Sequence, residues 1–157
     1  MTELTNRVVI LDDAEILYEW ANDSVTRSNS FNTGFIEWEE HCKWFKNKLA
    51  DNNCLMLMFC LENKPIGVVN FQIRDKNAII GITLSPGHRG KGLGAKIILS
   101  GCSRFWETHC ENIIAKIKKT NIASIKSFKK AGFSVYEDSL VRESEDSLVL
   151  KIRKNNF

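Results

Sequence analysis

The feature of this sequence that most restricts its fold is a glycine-rich segment between a strand-like run and a helix-like run. Residues 84–95 read LSPGHRGKGLGA, in which four glycines are interspersed with Arg89 and Lys91. Closely spaced glycines let the backbone approach a ligand and expose successive N–H groups, and the N-terminus of a following helix adds partial positive charge. The segment therefore predicts a cradle for a diphosphate, to which the two cations add full charges.

Two widespread phosphate-binding motifs do not fit this segment. The P-loop motif, GxxxxGK followed by Ser or Thr, is absent from the chain. Residues 90–95 match the looser GxGxxA pattern of dinucleotide-binding sheets, but that pattern requires an acidic residue at the end of the next strand. The next strand-like run, residues 113–117, is followed instead by Lys118 and Lys119. A nicotinamide cofactor is therefore not predicted.

Hydrophobic periodicity predicts antiparallel strands in the first half of the chain and a single βαβ crossover in the second half. Polar turns separate the second, third and fourth strand-like runs, which favours a meander. The predicted strands cover residues 7–11, 54–61, 65–74, 78–85, 113–117, 133–138 and 147–152. The first predicted helix is capped by Asp12 or Asp13 and ends at Ala21, and the others cover residues 36–50, 93–109 and 122–131. Residues 22–35 are predicted to form a loop.

The helix predicted over residues 36–50 has two stripes of interest. Large apolar residues recur at helical spacing and predict a buried face, namely Trp38, Cys42, Phe45 and Leu49. A second stripe on the flank of that face consists of Glu37, His41, Trp44 and Lys48. The flank either borders a cleft or lies on solvent.

The composition predicts a single domain that covers residues 1–157. A net charge of +3 is too small to indicate nucleic-acid binding. Five cysteines without a CxxC pair predict free thiols in a reducing compartment, and hence a cytoplasmic protein. The histidines lack the spacing of a metal site, and no apolar run is long enough to span a bilayer. We therefore expect no metal, no membrane and no nucleic-acid partner, and either a monomer or a homodimer.

Two motifs resemble those of the GNAT N-acetyltransferase superfamily. Residues 89–94, RGKGLG, match its coenzyme A loop, and residues 121–133, NIASIKSFKKAGF, are similar to its segment that begins with Asn and ends in Gly-Phe. The resemblance is best over residues 65–138. It implies an α/β (α+β) GNAT fold, in which helices flank a central mixed, mostly antiparallel sheet with one βαβ crossover that binds acetyl-coenzyme A.

The resemblance also implies how the chain binds acetyl-coenzyme A. The two central parallel strands would diverge and leave a slot for the thioester, with loop backbone N–H groups on the pyrophosphate. A backbone N–H near Leu84 would stabilise the thioester carbonyl oxygen as charge develops. The residues implied in binding are Ile82, Thr83, Leu84, Arg89, Gly90, Lys91, Gly92, Leu93, Gly94, Asn121, Ser124 and Phe128.

The sequence does not identify which residues donate and accept protons in the reaction. Many family members place a tyrosine where this chain has Phe128, and the departing thiolate takes a proton from it. Here another group or water must serve, and the candidates are Glu39, His41 and Tyr136. The alternative for Glu39 and His41 is a solvated helix face, and for Tyr136 it is an ordinary strand position.

The N-terminal half resembles GNAT proteins that acetylate an amino group of a nucleotide-linked sugar, as in pseudaminic-acid-type pathways. This resemblance lies in residues 27–31 and 38–45 and implies a small-molecule amine as acceptor. Aromatic faces would stack on a sugar or base and an arginine would meet a phosphate, so the predicted acceptor residues are Arg27, Phe31, Trp44 and Phe71. Two alternatives stay open: acetylation of a protein N-terminus, and a non-catalytic module that binds acyl-coenzyme A.

Overall fold

The computed structural model describes residues 3–136 and 146–154, which contain one seven-stranded sheet flanked by helices. The strands are β1 (Leu4–Val8), β2 (Cys54–Leu61), β3 (Lys64–Arg74), β4 (Asn77–Leu84), β5 (Asn112–Lys118), β6 (Ser134–Val135) and β7 (Ser147–Ile152). The helices are α1 (Ala14–Ala21), α2 (Ser24–Asn29), α3 (Trp38–Ala50), α4 (Leu93–Trp106) and α5 (Ile122–Lys130). Short 3-10 turns occupy Leu11–Asp13 and Pro86–His88.

The sheet has the strand order β1-β2-β3-β4-β5-β7-β6, and only the β4–β5 pair is parallel. The apolar runs of β2 and β3 are buried on both faces because helices cover both sides of the sheet. On one face, Val69 and Phe71 lie against Gly101 of α4. On the other, Val68 and Met58 pack with residues of α1 and α3. This architecture confirms the predicted mixed, mostly antiparallel fold.

The two parallel strands separate before they end. Pairing between β4 and β5 runs only from Asn77 to Ile80 on β4 and from Asn112 to Ala115 on β5. Beyond that point β4 continues to Leu84, and its pairing there is with β3 alone. The expected slot between the two strands is thus present, and the backbone of residues 81–84 faces it.

Two local predictions near the N-terminus were wrong. The first strand covers Leu4–Val8 rather than residues 7–11, because it pairs in register with β2. Residues 22–35 contain the short helix α2, and not only a loop. Asp23 begins this helix, since its carboxylate accepts a hydrogen bond from the Thr26 N–H at 3.2 Å. The helix α2 buries no residue, so its sequence lacks the apolar periodicity from which a helix could be predicted.

The burial of α3 also differs from the prediction. The helix buries His41 and Phe45, whereas Trp38 and Leu49 are 41% and 37% exposed. The helix is therefore rotated toward the His41 side, where the His41 ring contacts α1. The short β6 ends at Val135, and the part of the predicted strand 133–138 after residue 136 lies outside the described residues.

Within residues 3–136 and 146–154, no helix has the length and apolar character of a membrane span. The same residues hold no group of three or more His, Cys, Asp or Glu side chains arranged for a metal ion. All five cysteines are free thiols.

Candidate active site

Two adjoining cavities lie beside the diverging end of β4. The first, which we call the loop cavity, has a volume of about 320 Å³ and lies at the glycine-rich segment. The second, which we call the α3 cavity, has a volume of about 460 Å³ and lies between the sheet, α1 and α3. Thr26, Ser30 and Thr83 line both cavities. Molecules bound in the two cavities would therefore meet beside Thr83.

The loop cavity brings together most of the residues that the sequence predicts for cofactor binding. They come from three separate places: the free end of β4, the glycine-rich loop with the start of α4, and the start of α5. Those that line the cavity are Ile82, Thr83, Leu84, Arg89, Gly90, Gly92, Leu93, Gly94, Asn121 and Ser124. Lys91 and Phe128 do not line it.

The conformation of the loop explains two of its glycines. Gly90 and Gly92 have φ values of +72° and +74°, a region that residues with a Cβ rarely adopt. Nothing lies within 4 Å of where a Cβ would stand at either glycine, so crowding inside the protein is not the reason. Gly92 is the N-cap of α4, and the first N–H groups of that helix have no partner within it. Open space, bare backbone and a helix N-terminus suit an anionic group such as a diphosphate.

Arg89, which was predicted to add positive charge to the cradle, lines the loop cavity and forms an ion pair there with Asp23. Its Nη2 donates to Asp23 Oδ2 at 2.7 Å and to Thr26 Oγ1 at 3.0 Å. Burial opposes the charge of the Asp23 carboxyl, but hydrogen bonds from Arg89 and from the Thr26 N–H lower its pKa. The pair is therefore ionised and its charges offset each other. The helix α2, which the sequence did not predict, is what carries Asp23 to this position.

At the start of α5, Asn121 has a structural role of its own. Its Oδ1 accepts a hydrogen bond from the Ser124 N–H at 3.3 Å and caps the helix. Phe128, two turns along, is 2% exposed and packs edge-on against Phe133 with ring centroids 5.0 Å apart. The side chain that replaces the usual tyrosine thus lies in the core and does not face the loop cavity.

The gap between α4 and α5 is narrow where they flank the loop cavity. A Cβ built at Gly94 would stand 2.7 Å from Ser127 Oγ and 3.2 Å from Ser127 Cβ. The glycine at this position therefore permits the two helices to approach closely.

The α3 cavity has an apolar floor on the sheet and mixed walls. Met56, Val68, Asn70 and Thr83 from β2, β3 and β4 form the floor. The residues that line the walls are Leu17, Trp20, Ala21, Thr26, Arg27, Ser30, Asn32, Ile36, Glu40, His41 and Trp44.

His41 lies in the wall of this cavity and is 3% exposed, so it is not on a solvated helix face. Its Nε2 is 3.1 Å from the carbonyl oxygen of Ala14. Because a carbonyl oxygen only accepts, the neutral ring carries its proton on Nε2 and its lone pair on Nδ1. Burial lowers the pKa of the imidazole, and the bond to Ala14 opposes this only in part. The ring is therefore uncharged at neutral pH.

Among the acidic residues of α3, the sequence indicated Glu39, but Glu40 lines the cavity. Glu40 lies one helical turn before Trp44, which also lines the cavity and is 43% exposed. The spacing i, i+4 from Trp44 is the signal that could have identified Glu40. Glu39 is exposed and lies outside both cavities.

Asn70 is a second residue that the sequence analysis missed. Side chains alternate along β3, so Val68 and Asn70 face the α3 cavity while Val69 and Phe71 face α4. Across the strand pair, Asn70 stands opposite Gly81, and a Cβ there would be only 2.6 Å from Asn70 Oδ1. The glycine thus makes room for the Asn70 amide beside the slot.

Besides Glu39, three of the predicted acceptor and catalytic residues do not line either cavity. Phe71 is fully buried against Phe105, with ring centroids 4.6 Å apart, because it lies on the α4 face of the sheet. Phe31 is 56% exposed. Tyr136 follows β6 at the far edge of the sheet, where its N–H donates to the Val149 carbonyl and its ring contacts the Lys151 ammonium.

Arg27 lines the α3 cavity, but its guanidinium holds the chain around it. Its Nε donates to the Ala21 carbonyl at 2.6 Å, and its Nη1 donates to the carbonyls of Asn32 and Gly34 at 2.9 and 3.2 Å. Its Nη2 donates to Ser30 Oγ at 3.1 Å. The guanidinium has five N–H bonds, so at most one remains for a phosphate.

Comparison with known proteins gives consistent matches over most of the chain. The family described as Acetyltransferase (GNAT) domain matches residues 4–134. The uncharacterized N-acetyltransferase YfmK of Bacillus subtilis is 25% identical over 143 residues, which are 91% of each chain. The acetyltransferase PseH of Campylobacter jejuni is 23% identical over 87% of this chain and 83% of its own.

Among solved structures, the aminoglycoside acetyltransferase AAC(6')-Ib in complex with coenzyme A and kanamycin superposes with a TM-score of 0.83. The superposition covers 99% of this chain and 97% of that one at 18% identity. At this identity the similarity concerns the fold.

Proposed function

This chain belongs to the GNAT acetyltransferase family, and from that premise we propose that it transfers an acetyl group from acetyl-coenzyme A to a primary amine of a small molecule, as one domain over residues 1–157. The observation that carries the proposal is the junction of the two cavities at Thr83, beside the divergence of β4 and β5. A thioester in one cavity and an amine in the other would meet there, and proximity accounts for much of the rate of such a transfer.

In this proposal the loop cavity holds the donor. The backbone N–H groups of residues 89–94 and the N-terminus of α4 bind the pyrophosphate, for which Gly90 and Gly92 leave open space. Residues 82–84 pair with β3 on one side, and their other backbone edge, which β5 leaves open, binds the amide-bearing arm. Asn121 and Ser124 flank that arm. The N–H near Leu84 stabilises the oxygen of the thioester carbonyl as negative charge develops on it.

The amine attacks only when it is uncharged, so a group in the α3 cavity must accept its proton. Of the three candidates for proton transfer, Glu39, His41 and Tyr136, only His41 lines a cavity, and we propose it as the proton acceptor. Its lowered pKa keeps the ring unprotonated near neutral pH, and the lone pair on Nδ1 is available while Nε2 donates to Ala14. As the amide bond forms, the carbon–sulfur bond of the thioester breaks, and the departing thiolate takes its proton from water.

For the acceptor, we propose an amino sugar bound against Trp44. Similarity to PseH and the sequence resemblance to enzymes of nucleotide-linked sugars support this choice. Trp44, half-exposed in the cavity wall, offers an aromatic face for a sugar ring. The nucleotide part has less support, because Arg27 has at most one N–H left for a phosphate. The free thiols are consistent with the predicted cytoplasmic location.

The test is a panel of amines incubated with acetyl-coenzyme A and the protein, read by mass spectrometry for the gain of one acetyl group. The panel contains free amino sugars, nucleotide-linked amino sugars and short peptides, and donor binding is measured separately by calorimetry. We expect acetylation of sugars and not of peptides. Acetylation of peptides alone would indicate a protein N-terminal acetyltransferase. Donor binding without any transfer would indicate a non-catalytic binding module.

A further inference from the structure

The two parts of the chain carry opposite charge, and the acidic part builds most of the α3 cavity wall. Residues 1–45 contain nine Asp and Glu against three Lys and Arg, whereas residues 46–157 contain ten against 19. The helices α1 and α2 and the first two turns of α3 lie in the acidic part, and the glycine-rich loop lies in the basic part. The α3 cavity therefore lies in a more negative environment than the loop cavity.

The charged residues that line the α3 cavity also leave a negative charge more available to a ligand than a positive one. Among the described residues that line the α3 cavity, Glu40 is the only carboxylate, and its side chain is exposed. Arg27 is the only permanent cation among them, and four hydrogen bonds to its own surroundings occupy its guanidinium. His41 is neutral, because burial lowers its pKa. A ligand thus meets an available negative charge and few available positive donors.

The aromatic rings of His41 and Trp44 line the same cavity as this carboxylate. Trp44 follows Glu40 by one helical turn, and its ring centroid is 5.9 Å from that of His41. The His41 ring also contacts Tyr18 and Trp38, which do not line the cavity. An ammonium group is attracted both by a carboxylate and by the face of an indole ring, whereas a phosphate is repelled by both.

We propose that the acceptor is a polycationic amine, a small molecule that keeps at least one ammonium group beside Glu40 and Trp44 while a different amine is acetylated. This inference rests on the proposed function and narrows its substrate class. Glu40 acts in it as a specificity-determining residue that binds the charge which does not react. The reacting amine lies at the Thr83 junction.

The experiment compares three amino sugars that differ in charge: kanamycin, which has several amines, glucosamine, which has one, and a UDP-linked amino sugar, which is anionic. We expect kcat/KM for kanamycin to exceed that of the other two by about tenfold or more. Glu40→Gln should raise the KM for kanamycin about 5- to 20-fold and change that for glucosamine less than about twofold. The KM for acetyl-coenzyme A should not change.

Glu19→Gln is the matched control, because it removes one negative charge from the same acidic region at an exposed position outside both cavities. It should leave all three acceptors unchanged, and added salt should weaken the preference for kanamycin. Equal or better turnover of the UDP-linked sugar, or an equal effect of Glu40→Gln on kanamycin and glucosamine, would overturn this inference alone. Donor binding without transfer to any amine would overturn the proposed function together with it.

Discussion

The ion pair between Asp23 and Arg89 gives a sharp prediction about α2. This helix has no buried residue, so polar contacts hold it in place. The shortest of these between two side chains is the 2.7 Å bond between Arg89 Nη2 and Asp23 Oδ2. The two side chains are 29% and 20% exposed. Because Thr26 of α2 and Ser30, its C-cap, line both cavities, displacement of the helix would change the shape of the acceptor side.

The perturbation is Asp23→Asn, which keeps the size of the side chain and removes its charge. A charge-assisted hydrogen bond contributes about 1.5–3 kcal/mol, and partial exposure reduces this to about 1–2 kcal/mol. If the loss of this free energy displaces α2, the KM for the acceptor should rise by about 5- to 30-fold. The affinity for the donor should not fall, because Arg89 then offers an unbalanced positive charge to an anionic ligand.

The assay separates the two effects by calorimetry with acetyl-coenzyme A and by steady-state kinetics with the acceptor. Asp12→Asn, an exposed acidic residue outside both cavities, is the control for general charge. The double variant Asp23→Asn/Arg89→Gln should raise the acceptor KM no more than the larger single effect. A loss of donor affinity above tenfold with an unchanged acceptor KM would show that Asp23 serves the loop, which would refute this reasoning.

Three further predictions follow from single positions. Gly92→Val should abolish donor binding, measured by calorimetry, while the fold survives, because φ is +74° at this residue. Gly87→Ala in the same loop is the control and should bind the donor normally, and equal donor affinities of the two variants would contradict the proposed diphosphate site. Burial of the neutral His41 contributes its full stability above the ordinary pKa near 6.5 and progressively less below it. Lowering the pH from 7.5 to 5 should therefore reduce the free energy of unfolding, measured with urea, more for the wild type than for His41→Gln, and equal losses in the two proteins would contradict this. Burial raises the pKa of Cys102 to about 12, so a thiol reagent at pH 8 should label exposed Cys110 first and Cys102 only after unfolding; fast labelling of Cys102 in a Cys110→Ser variant would contradict this.

The parts of the fold that the sequence predicted well are those that local patterns specify. The apolar runs of β2 and β3 are long and continuous, and the polar turns after them place Asn63 and Asp75 at positive φ. The glycine-rich loop is equally local, since its conformation requires particular glycines at particular positions. These signals survive without knowledge of the tertiary structure.

The parts that it missed depend on residues far apart in the chain. The helix α2 is fixed by its own cap and by Arg89, which follows Asp23 by 66 positions. The orientation of α3 depends on the contact of His41 with Ala14, which no periodicity of α3 alone could show. For Phe71 the residue type indicated a stacking surface, but the phase of β3 against α4 places it in the core. The sequence thus predicted the chemical character of these side chains but not the side of the helix or strand on which they lie in the fold.

The close approach of Gly94 to Ser127 has a mechanical consequence. Since α4 and α5 are in contact at this point, the size of residue 94 determines how closely these two walls of the loop cavity approach each other. A methyl group at residue 94 would stand 2.7 Å from Ser127 Oγ, so either the Ser127 side chain would turn away or the two helices would move apart. A larger side chain at residue 94 would therefore change the shape of the loop cavity, which both Gly94 and Ser127 line.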